Sequence, residues 1–197
     1  MFKTKDVETL LLKKIFEGPL KDAGEECPSG RYYIELRNIC FQVDKPYIFK
    51  ELKKYDRIDP QWYVDNYEPK IGDQLDNVIE RIFKHPETRQ AVILMSDENG
   101  MMTDNVCTMY MHIMLDKAEN GSYDMDYIVH MRSSDVIEFG NDIEWHFKIA
   151  SLIHYKLSDC GMNINKDVRF IWDADTFHLY DHCWDKIIDK MHELTPE

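Results

Sequence analysis

Two alternating stretches joined by a turn constrain the fold of this chain more than any other feature. Residues 106–115 (VCTMYMHIML) alternate in polarity, and one side of the extended chain carries Cys107, Met109, Met111, Ile113 and Leu115. A turn sequence follows at 117–122 (KAENGS), and residues 123–131 (YDMDYIVHM) form a second extended stretch. The pattern predicts an antiparallel β-hairpin, which needs further strands and helices to cover its apolar side.

Helical periodicity marks both halves of the chain. The clearest helix is predicted over 71–85, with an apolar stripe of Ile71, Leu75, Val78, Ile79, Ile82 and Phe83. An earlier helix is predicted over 6–20, stopped by Gly18-Pro19, with one face formed by Val7, Leu10, Leu11 and Ile15. Residues 47–55 (YIFKELKKY) predict a short helix.

Two more helices are predicted towards the C-terminus. Residues 142–157 indicate a long buried helix with Gly161 as its stop, and residues 181–194 indicate an amphipathic one. Asp142 stands where an N-cap is expected, because its carboxylate can accept a hydrogen bond from the first turn.

The remaining apolar stretches predict strands. Residues 31–43 (RYYIELRNICFQV) alternate, slip phase near Asn38 and alternate again, which predicts either a long strand with a bulge or a tight hairpin. Residues 90–96 (QAVILMS) predict a buried strand, and 167–172 (DVRFIW) another. We therefore expect a single α/β (α+β) domain over 1–197, with a large mixed sheet packed by helices.

Charge and cysteine usage restrict the partners. Lys and Arg number 24 against 37 Asp and Glu, giving a formal charge of −13, which argues against non-specific nucleic-acid binding. A local arginine pocket for a phosphate-bearing small molecule remains compatible with that charge. No apolar run reaches membrane-spanning length, and the polar residues 1–5 predict no secretory signal.

The five cysteines are odd in number, lack a CxxC motif and are widely spaced, which predicts free thiols in a reducing compartment. The histidines at 112, 130, 146 and 154 lack the spacing of metal ligands on one element, so no metal is assigned.

Three features with chemical potential fall at one end of the predicted sheet. Cys107 begins one hairpin strand, and Arg132 ends its partner. Downstream, His178 and Tyr180 stand at alternating positions of an extended stretch and so point to one side.

Five stretches, in order, resemble the thymidylate synthase and pyrimidine nucleotide hydroxymethylase family. They are 67–93 (YEPKIGDQLDNVIERIFKHPETRQAVI), Cys107, 131–136 (MRSSDV), 140–142 (GND) and 175–182 (DTFHLYDH). The resemblance implies a thymidylate synthase-like fold, and it is closest to enzymes that hydroxymethylate (deoxy)cytidylate. The segment between about 44 and 66 is shorter than in the family.

The resemblance implies a role for each matching residue. Cys107 is the nucleophile that adds to pyrimidine C6, and Arg132 both lowers the thiol pKa and holds the nucleotide phosphate. Ser133 donates to the same phosphate, and Asp135 is a structural aspartate beside it. His178 and Tyr180 bind the sugar hydroxyl.

Three further positions complete the expected site. Asp142 occupies the position of the base-reading residue, where a carboxylate accepts from the cytosine N4 amine; an alternative alignment places Lys148 there instead. Glu51 is the candidate water-activating base. Arg89 is expected to reach the phosphate of a partner subunit, since the family forms homodimers that share arginines.

The predicted activity is one-carbon transfer to C5 of a pyrimidine nucleoside monophosphate, most simply 5-hydroxymethylation of CMP or dCMP. The resemblance implies 5,10-methylenetetrahydrofolate as donor and a location in the cytoplasm of a bacterium or a phage-infected host. The chain lacks the apolar C-terminal tail that closes over the folate in synthases. Two alternatives stay open: a uridylate methylase or hydroxymethylase, and a catalytically silent nucleotide-binding subunit.

Overall fold

The computed structural model describes residues 4–24, 31–43, 60–95 and 106–194. Within them the helices are α1 (Thr4–Phe16), α2 (Pro60–Lys84), α3 (Phe139–Asp159) and α4 (Trp184–Leu194). The strands are β1 (Leu20–Asp22), β2 (Tyr32–Gln42), β3 (Val92–Leu94), β4 (Thr108–Lys117), β5 (Tyr123–Met131), β6 (Ser134–Asp135) and β7 (Ile164–Tyr180). A 3₁₀ turn, Asp181–Cys183, joins β7 to α4.

The strands form one mixed sheet in the order β1-β2-β7-β5-β4-β3. The predicted hairpin is confirmed, because β4 and β5 pair antiparallel. β5 and the short β6 both lie parallel to β7 on the same side of it. From Met125 onward they share one register, in which Met131 is opposite Ala174 and Ser134 is opposite Phe177; a register shift lies between Tyr123 and Met125. The class is therefore mixed α/β, with a large sheet packed by helices.

The phase slip predicted near Asn38 is present, but it is neither a hairpin nor an added residue. β2 is one long strand whose register with β7 runs unbroken from Tyr33 opposite Tyr180 to Gln42 opposite Ile171. Asn38 takes a left-handed φ of 54°, which asparagine tolerates better than most residues. Opposite Asn38, the alternation of buried side chains in β7 shifts by one residue, because Ala174 is buried and the next buried residue is Phe177.

The predicted 167–172 strand is part of a much longer one. β7 runs on through 173–180, so it also contains the alternating His178 and Tyr180. Its central side chains Phe170 and Trp172 are fully buried. The ring of Phe139, at the start of α3, lies 4.9 Å from that of Trp172 and fastens this helix to the sheet.

The helices differ from the sequence predictions at their ends and edges. In α1, Leu11 and Ile15 of the predicted face are buried, but Leu10 is exposed and Leu12 is buried in its place. α2 begins at Pro60 rather than near Ile71, and Phe83 at its end is exposed. α3 begins at Phe139, so Asp142 lies inside its first turn and the predicted N-cap role is wrong; the N-cap is Glu138.

Two strand predictions also need correction. The predicted buried strand at 90–96 is a short edge strand, β3, in which Ile93 is buried and Leu94 is exposed. In β4 a register irregularity between Thr108 and Tyr110 places Thr108, not Met109, in the core. The predicted helix at 47–55 lies outside the described residues. Among the described helices, none has the length and hydropathy needed to cross a membrane.

Candidate active site

Cys107 and Arg132 are direct neighbours across the β4–β5 hairpin. The backbone N–H of Arg132 donates to the carbonyl oxygen of Cys107 at 2.9 Å. The Arg132 Nε donates to the carbonyl oxygen of Val106 at 3.4 Å, so the guanidinium lies back over the segment that carries the thiol. Cys107 is half-buried and Arg132 is exposed, which leaves the thiol accessible beside a cation.

The charge environment of Cys107 does not give a low thiol pKa. Burial raises the pKa most, Arg132 lowers it, and the negative charges of Asp142 and Asp135 raise it again. The net shift is upward from the ordinary value of 9.0. The expected effect of Arg132 is present, but desolvation and two carboxylates outweigh it, so the protein without ligand holds mainly the neutral thiol.

A row of hydroxyl and guanidinium groups crosses three segments beside this pair. The Thr176 hydroxyl of β7 donates to the Ser133 Oγ at 3.2 Å, and Arg37 of β2 lies directly opposite Thr176. Neighbouring strands are about 4.8 Å apart, so Ser133 and Arg37 are roughly 10 Å apart at the backbone and their side chains can converge on one group. This row is suited to bind an oxyanion.

The next row of cross-strand neighbours in the sheet contains His178. Asp135 is opposite His178 in the β6–β7 register, and Glu35 is opposite His178 in the β2–β7 register. His178 Nδ1 lies 3.3 Å from the Ser133 hydroxyl. Burial lowers the pKa of His178 to about 4 against a smaller opposing effect of Glu35, so its imidazole is neutral and can both donate and accept.

Tyr180 extends this face as predicted. Its ring centroid lies 5.1 Å from that of His178 and 5.8 Å from that of Tyr33, the residue opposite it on β2. Asp135, by contrast with Tyr180, binds the backbone. Its Oδ1 accepts a hydrogen bond from the N–H of Ile137 at 2.9 Å, which stabilises the turn that leads into α3. The structural role expected for Asp135 agrees with this contact.

Asp142 is buried on the inner face of α3, against α2. Its Oδ1 accepts a hydrogen bond from the Tyr63 hydroxyl at 2.6 Å. Burial raises the pKa of Asp142 to about 7; the Tyr63 hydrogen bond lowers it, and the nearby charges of Glu138 and Asp135 add to the rise. A carboxyl group of this kind exchanges its proton near neutral pH, as acid–base groups in active sites do.

A buried polar chain lies beneath Cys107. The Tyr67 hydroxyl is 2.9 Å from the Thr108 Oγ1, which is 3.2 Å from His146 Nε2, and the Tyr127 hydroxyl is 3.1 Å from His146 Nδ1. Burial lowers the pKa of His146 to about 3, so this ring is neutral. Burial raises the pKa of Tyr67 most, and the nearby charges of Asp142 and Cys107 add to the rise.

The structure thus brings seven of the nine predicted site residues to one end of the sheet: Cys107, Arg132, Ser133, Asp135, Asp142, His178 and Tyr180. Arg89 is elsewhere. It is exposed just before Ala91, whose carbonyl oxygen accepts from the N–H of Ile113, roughly 20 Å along β4 from Cys107. Glu51 lies outside the described residues.

The alternative base-reading residue, Lys148, is exposed. It follows Asp142 by one and two-thirds helical turns, so it points away from the buried face that holds Asp142 and Tyr63.

Sequence reasoning missed three residues of this region. Tyr63 was overlooked because α2 was expected to begin near Ile71, although Tyr63 and Tyr67 stand at i and i+4 and continue its apolar stripe back to Pro60. Thr176 and Arg37 were overlooked because their proximity depends on the pairing of two strands more than 130 residues apart.

The amino-acid sequence matches no protein-family model and no curated protein. Within the described residues, no group of three or more His, Cys, Asp or Glu side chains is arranged to hold a metal ion.

Proposed function

We propose that this chain transfers a one-carbon unit to C5 of a pyrimidine nucleoside monophosphate, with (d)CMP as substrate and a 5-hydroxymethyl product. The observation that carries the proposal is the common location of an accessible thiol, an arginine and a buried carboxyl group near its ionisation point. Cys107, Arg132 and Asp142 supply these three groups. The nucleotide supplies a matching electrophilic ring, phosphate and cytosine edge.

The phosphate binds the hydroxyl and guanidinium row. Arg132, Ser133 and Thr176 offer donors from one side, and Arg37 offers a second guanidinium from β2. Neutral His178, with Tyr180 beside it, binds the sugar hydroxyl, because a neutral imidazole can donate and accept.

The thiol and Asp142 share the work of activation. A negative charge on Cys107 disfavours one on Asp142, and the reverse. A state with a Cys107 thiolate and a protonated Asp142 is therefore favoured over a state in which both groups are ionised. The Cys107 sulfur bonds to C6 and the C5=C6 π bond breaks. The displaced electron pair is delocalised through the ring as N3 takes the Asp142 proton, and C5 becomes nucleophilic. The methylene carbon of the donor, for which the resemblance implies 5,10-methylenetetrahydrofolate, would then bond to C5. The C5 proton and the carrier would leave, water would add to the resulting exocyclic methylene, and the S–C6 bond would break to release the Cys107 thiolate.

The subunit arrangement belongs to the same proposal. Arg89 is exposed and lies two residues before Ala91, which pairs with Ile113 about 20 Å along β4 from Cys107. In the proposal it therefore acts from a second copy of the chain. We propose a homodimer in which Arg89 of each copy approaches the phosphate bound by the other.

The first test is exchange of the C5 hydrogen. Thiolate addition makes the C5 hydrogen of dCMP labile, so wild-type protein should release tritium from [5-³H]dCMP into water without any folate. Cys107→Ala should abolish the release. Cys160→Ala is the matched control, since that thiol is exposed at the end of α3, and it should leave the rate unchanged.

The outcome also separates the alternatives. Release from dUMP and not from dCMP would favour a uridylate enzyme. Nucleotide binding without release from any pyrimidine would favour a silent subunit, an alternative that the raised thiol pKa also supports. A mass-spectrometric product screen over CMP, dCMP, UMP and dUMP with methylenetetrahydrofolate then identifies the substrate.

A further inference from the structure

The environment of Tyr63 fixes its hydroxyl group. The side chain is 2% exposed, and its ring packs edge-on against Trp62 at 5.2 Å and nearly parallel to Trp145 at 6.1 Å. Tyr67, one turn further along α2, lies 5.5 Å away. A ring enclosed by three aromatic neighbours on two helices is restricted in orientation, which keeps its hydroxyl oxygen beside Asp142, the acceptor of its hydrogen bond.

This contact makes the two oxygens of Asp142 different. Tyr63 has one proton, which it donates to Oδ1 at 2.6 Å. Oδ1 is therefore held as an acceptor, with one lone pair left, and a proton on this carboxyl group resides on Oδ2. The group then presents an acceptor and a donor side by side.

With Oδ1 facing the exocyclic group at C4 and Oδ2 facing N3, the placement that the inference takes for the base, this arrangement is complementary to cytosine and opposed to uracil. The N4 amine of cytosine donates and its N3 accepts, which matches Oδ1 and the Oδ2 proton. Uracil offers an acceptor at O4 and a donor at N3, the reverse order. Pairing with uracil would need the proton on Oδ1, towards which Tyr63 already directs its own.

We infer that Tyr63 is a positioning residue that orients the Asp142 carboxyl group for the N4–N3 edge of a cytosine and thereby selects cytidylate over uridylate. The inference rests on the proposed function for its ligand, and on the Tyr63–Asp142 hydrogen bond for its geometry. Tyr63 acts through Asp142 and need not touch the nucleotide.

The test compares Tyr63→Phe with Tyr127→Phe. Each variant removes one hydroxyl and keeps its ring, and Tyr127 is equally buried but contacts His146 instead of Asp142. Calorimetric binding of dCMP and dUMP should show the preference for dCMP falling about tenfold in Tyr63→Phe, the value of one hydrogen bond to a buried group. Tyr127→Phe should retain the wild-type ratio.

A second readout is independent of any nucleotide. Carboxyl ¹³C NMR of aspartate-labelled protein, with the Asp142 signal assigned by its loss in Asp142→Asn, follows the ionisation of this group directly. The Tyr63 hydrogen bond lowers the pKa of Asp142, so the midpoint should rise in Tyr63→Phe and stay in place in Tyr127→Phe.

The two readouts distinguish the ways of failing. If Tyr63→Phe shifts neither the midpoint nor the dCMP-to-dUMP ratio, the positioning role is overturned while the proposed function stands. If wild-type protein binds neither nucleotide, the proposed function and the cytosine selection fall together, although the shifted midpoint still verifies the Tyr63–Asp142 contact. A shifted midpoint with an unchanged ratio overturns the selection alone.

Discussion

Arg132 is bonded through its backbone N–H to the carbonyl oxygen of Cys107 at 2.9 Å, so the β4–β5 hairpin holds together the backbone positions that carry the cation and the thiol. The guanidinium favours the thiolate, but burial and the charges of Asp142 and Asp135 raise the thiol pKa overall. The reactivity of Cys107 is therefore a balance between neighbours of opposite sign, and each can be removed separately.

Alkylation of Cys107 by iodoacetamide should respond in opposite directions to two substitutions. Arg132→Gln removes the charge that lowers the thiol pKa and should slow alkylation several-fold at pH 8. Asp142→Asn removes a charge that raises it and should accelerate alkylation. Peptide mass spectrometry separates the thiols, and exposed Cys160 in the same sample is the rate reference.

Both substitutions changing the rate in the same direction would show that access, and not charge, controls the reactivity of this thiol. Equal shifts at Cys160 would show a general effect on the reagent or on the fold.

The sequence predicted those parts of the fold that local pattern determines. The β4–β5 hairpin has period-two alternation and a turn with Gly121 at a φ of 82°, and α3 ends before Gly161 at a φ of 92°. Helix starts were less predictable: α2 extends back to Pro60 because Tyr63 and Tyr67 pack against Trp145 of another helix, a tertiary contact that local propensity does not encode.

The candidate site was predictable only where residues lie near each other on paired segments. Cys107 and Arg132 could be placed together because a hairpin pairs them, and Ser133 and Asp135 because they follow directly. Arg37 could not, because β2 reaches β7 only through a long-range pairing. The net pKa of Cys107 was also unpredictable, since burial, its largest cause, depends on the whole packed structure.

Asp142 should make stability fall with rising pH. Its pKa is about 7 in the folded protein and 3.8 for an ordinary aspartate, so the folded state holds the proton more tightly. The stabilisation is complete below about pH 4 and is lost as the pH rises through about 7. Relative to wild type, Asp142→Asn should gain up to about 4 kcal/mol in unfolding free energy between pH 4 and pH 8.

Urea denaturation across this pH range measures the difference. The asparagine Oδ1 can still accept from Tyr63, so the contact itself is kept. Glu144→Gln removes an exposed carboxylate from the same helix and controls for general charge effects. A difference between Asp142→Asn and wild type that stays constant with pH would show that Asp142 ionises normally in the folded protein.

Arg37 should contribute to phosphate affinity without affecting the nucleoside. Its guanidinium also bonds Glu35 at 2.7 Å and is 67% exposed, so water screens much of its charge. Arg37→Gln should weaken dCMP binding about fivefold, and deoxycytidine, which has no phosphate, should bind Arg37→Gln and wild type equally. Calorimetry with both ligands measures this.

Arg81→Gln, an exposed arginine near the end of α2, is the control for loss of positive charge in general. If Arg37→Gln weakens the binding of dCMP and of deoxycytidine equally, the substitution disturbs this end of the sheet in general, and Arg37 does not bind the phosphate.

Mixed dimers should test whether Arg89 acts between subunits. Cys107→Ala and Arg89→Ala should each be impaired alone in tritium release from dCMP, because each homodimer lacks one component at both sites. In a mixed dimer, the subunit that keeps Cys107 receives Arg89 from the other copy, so one of the two sites is complete.

Unfolding and refolding the two variants together should restore roughly a quarter of wild-type activity, since half the dimers are mixed and each mixed dimer has one complete site. Arg81→Ala refolded with Cys107→Ala controls for dilution: Arg81, near the end of α2, is assigned no phosphate, so this mixture should give about half of wild-type activity. If Arg89→Ala alone keeps full activity, or if mixing restores nothing, Arg89 does not complete the partner's site.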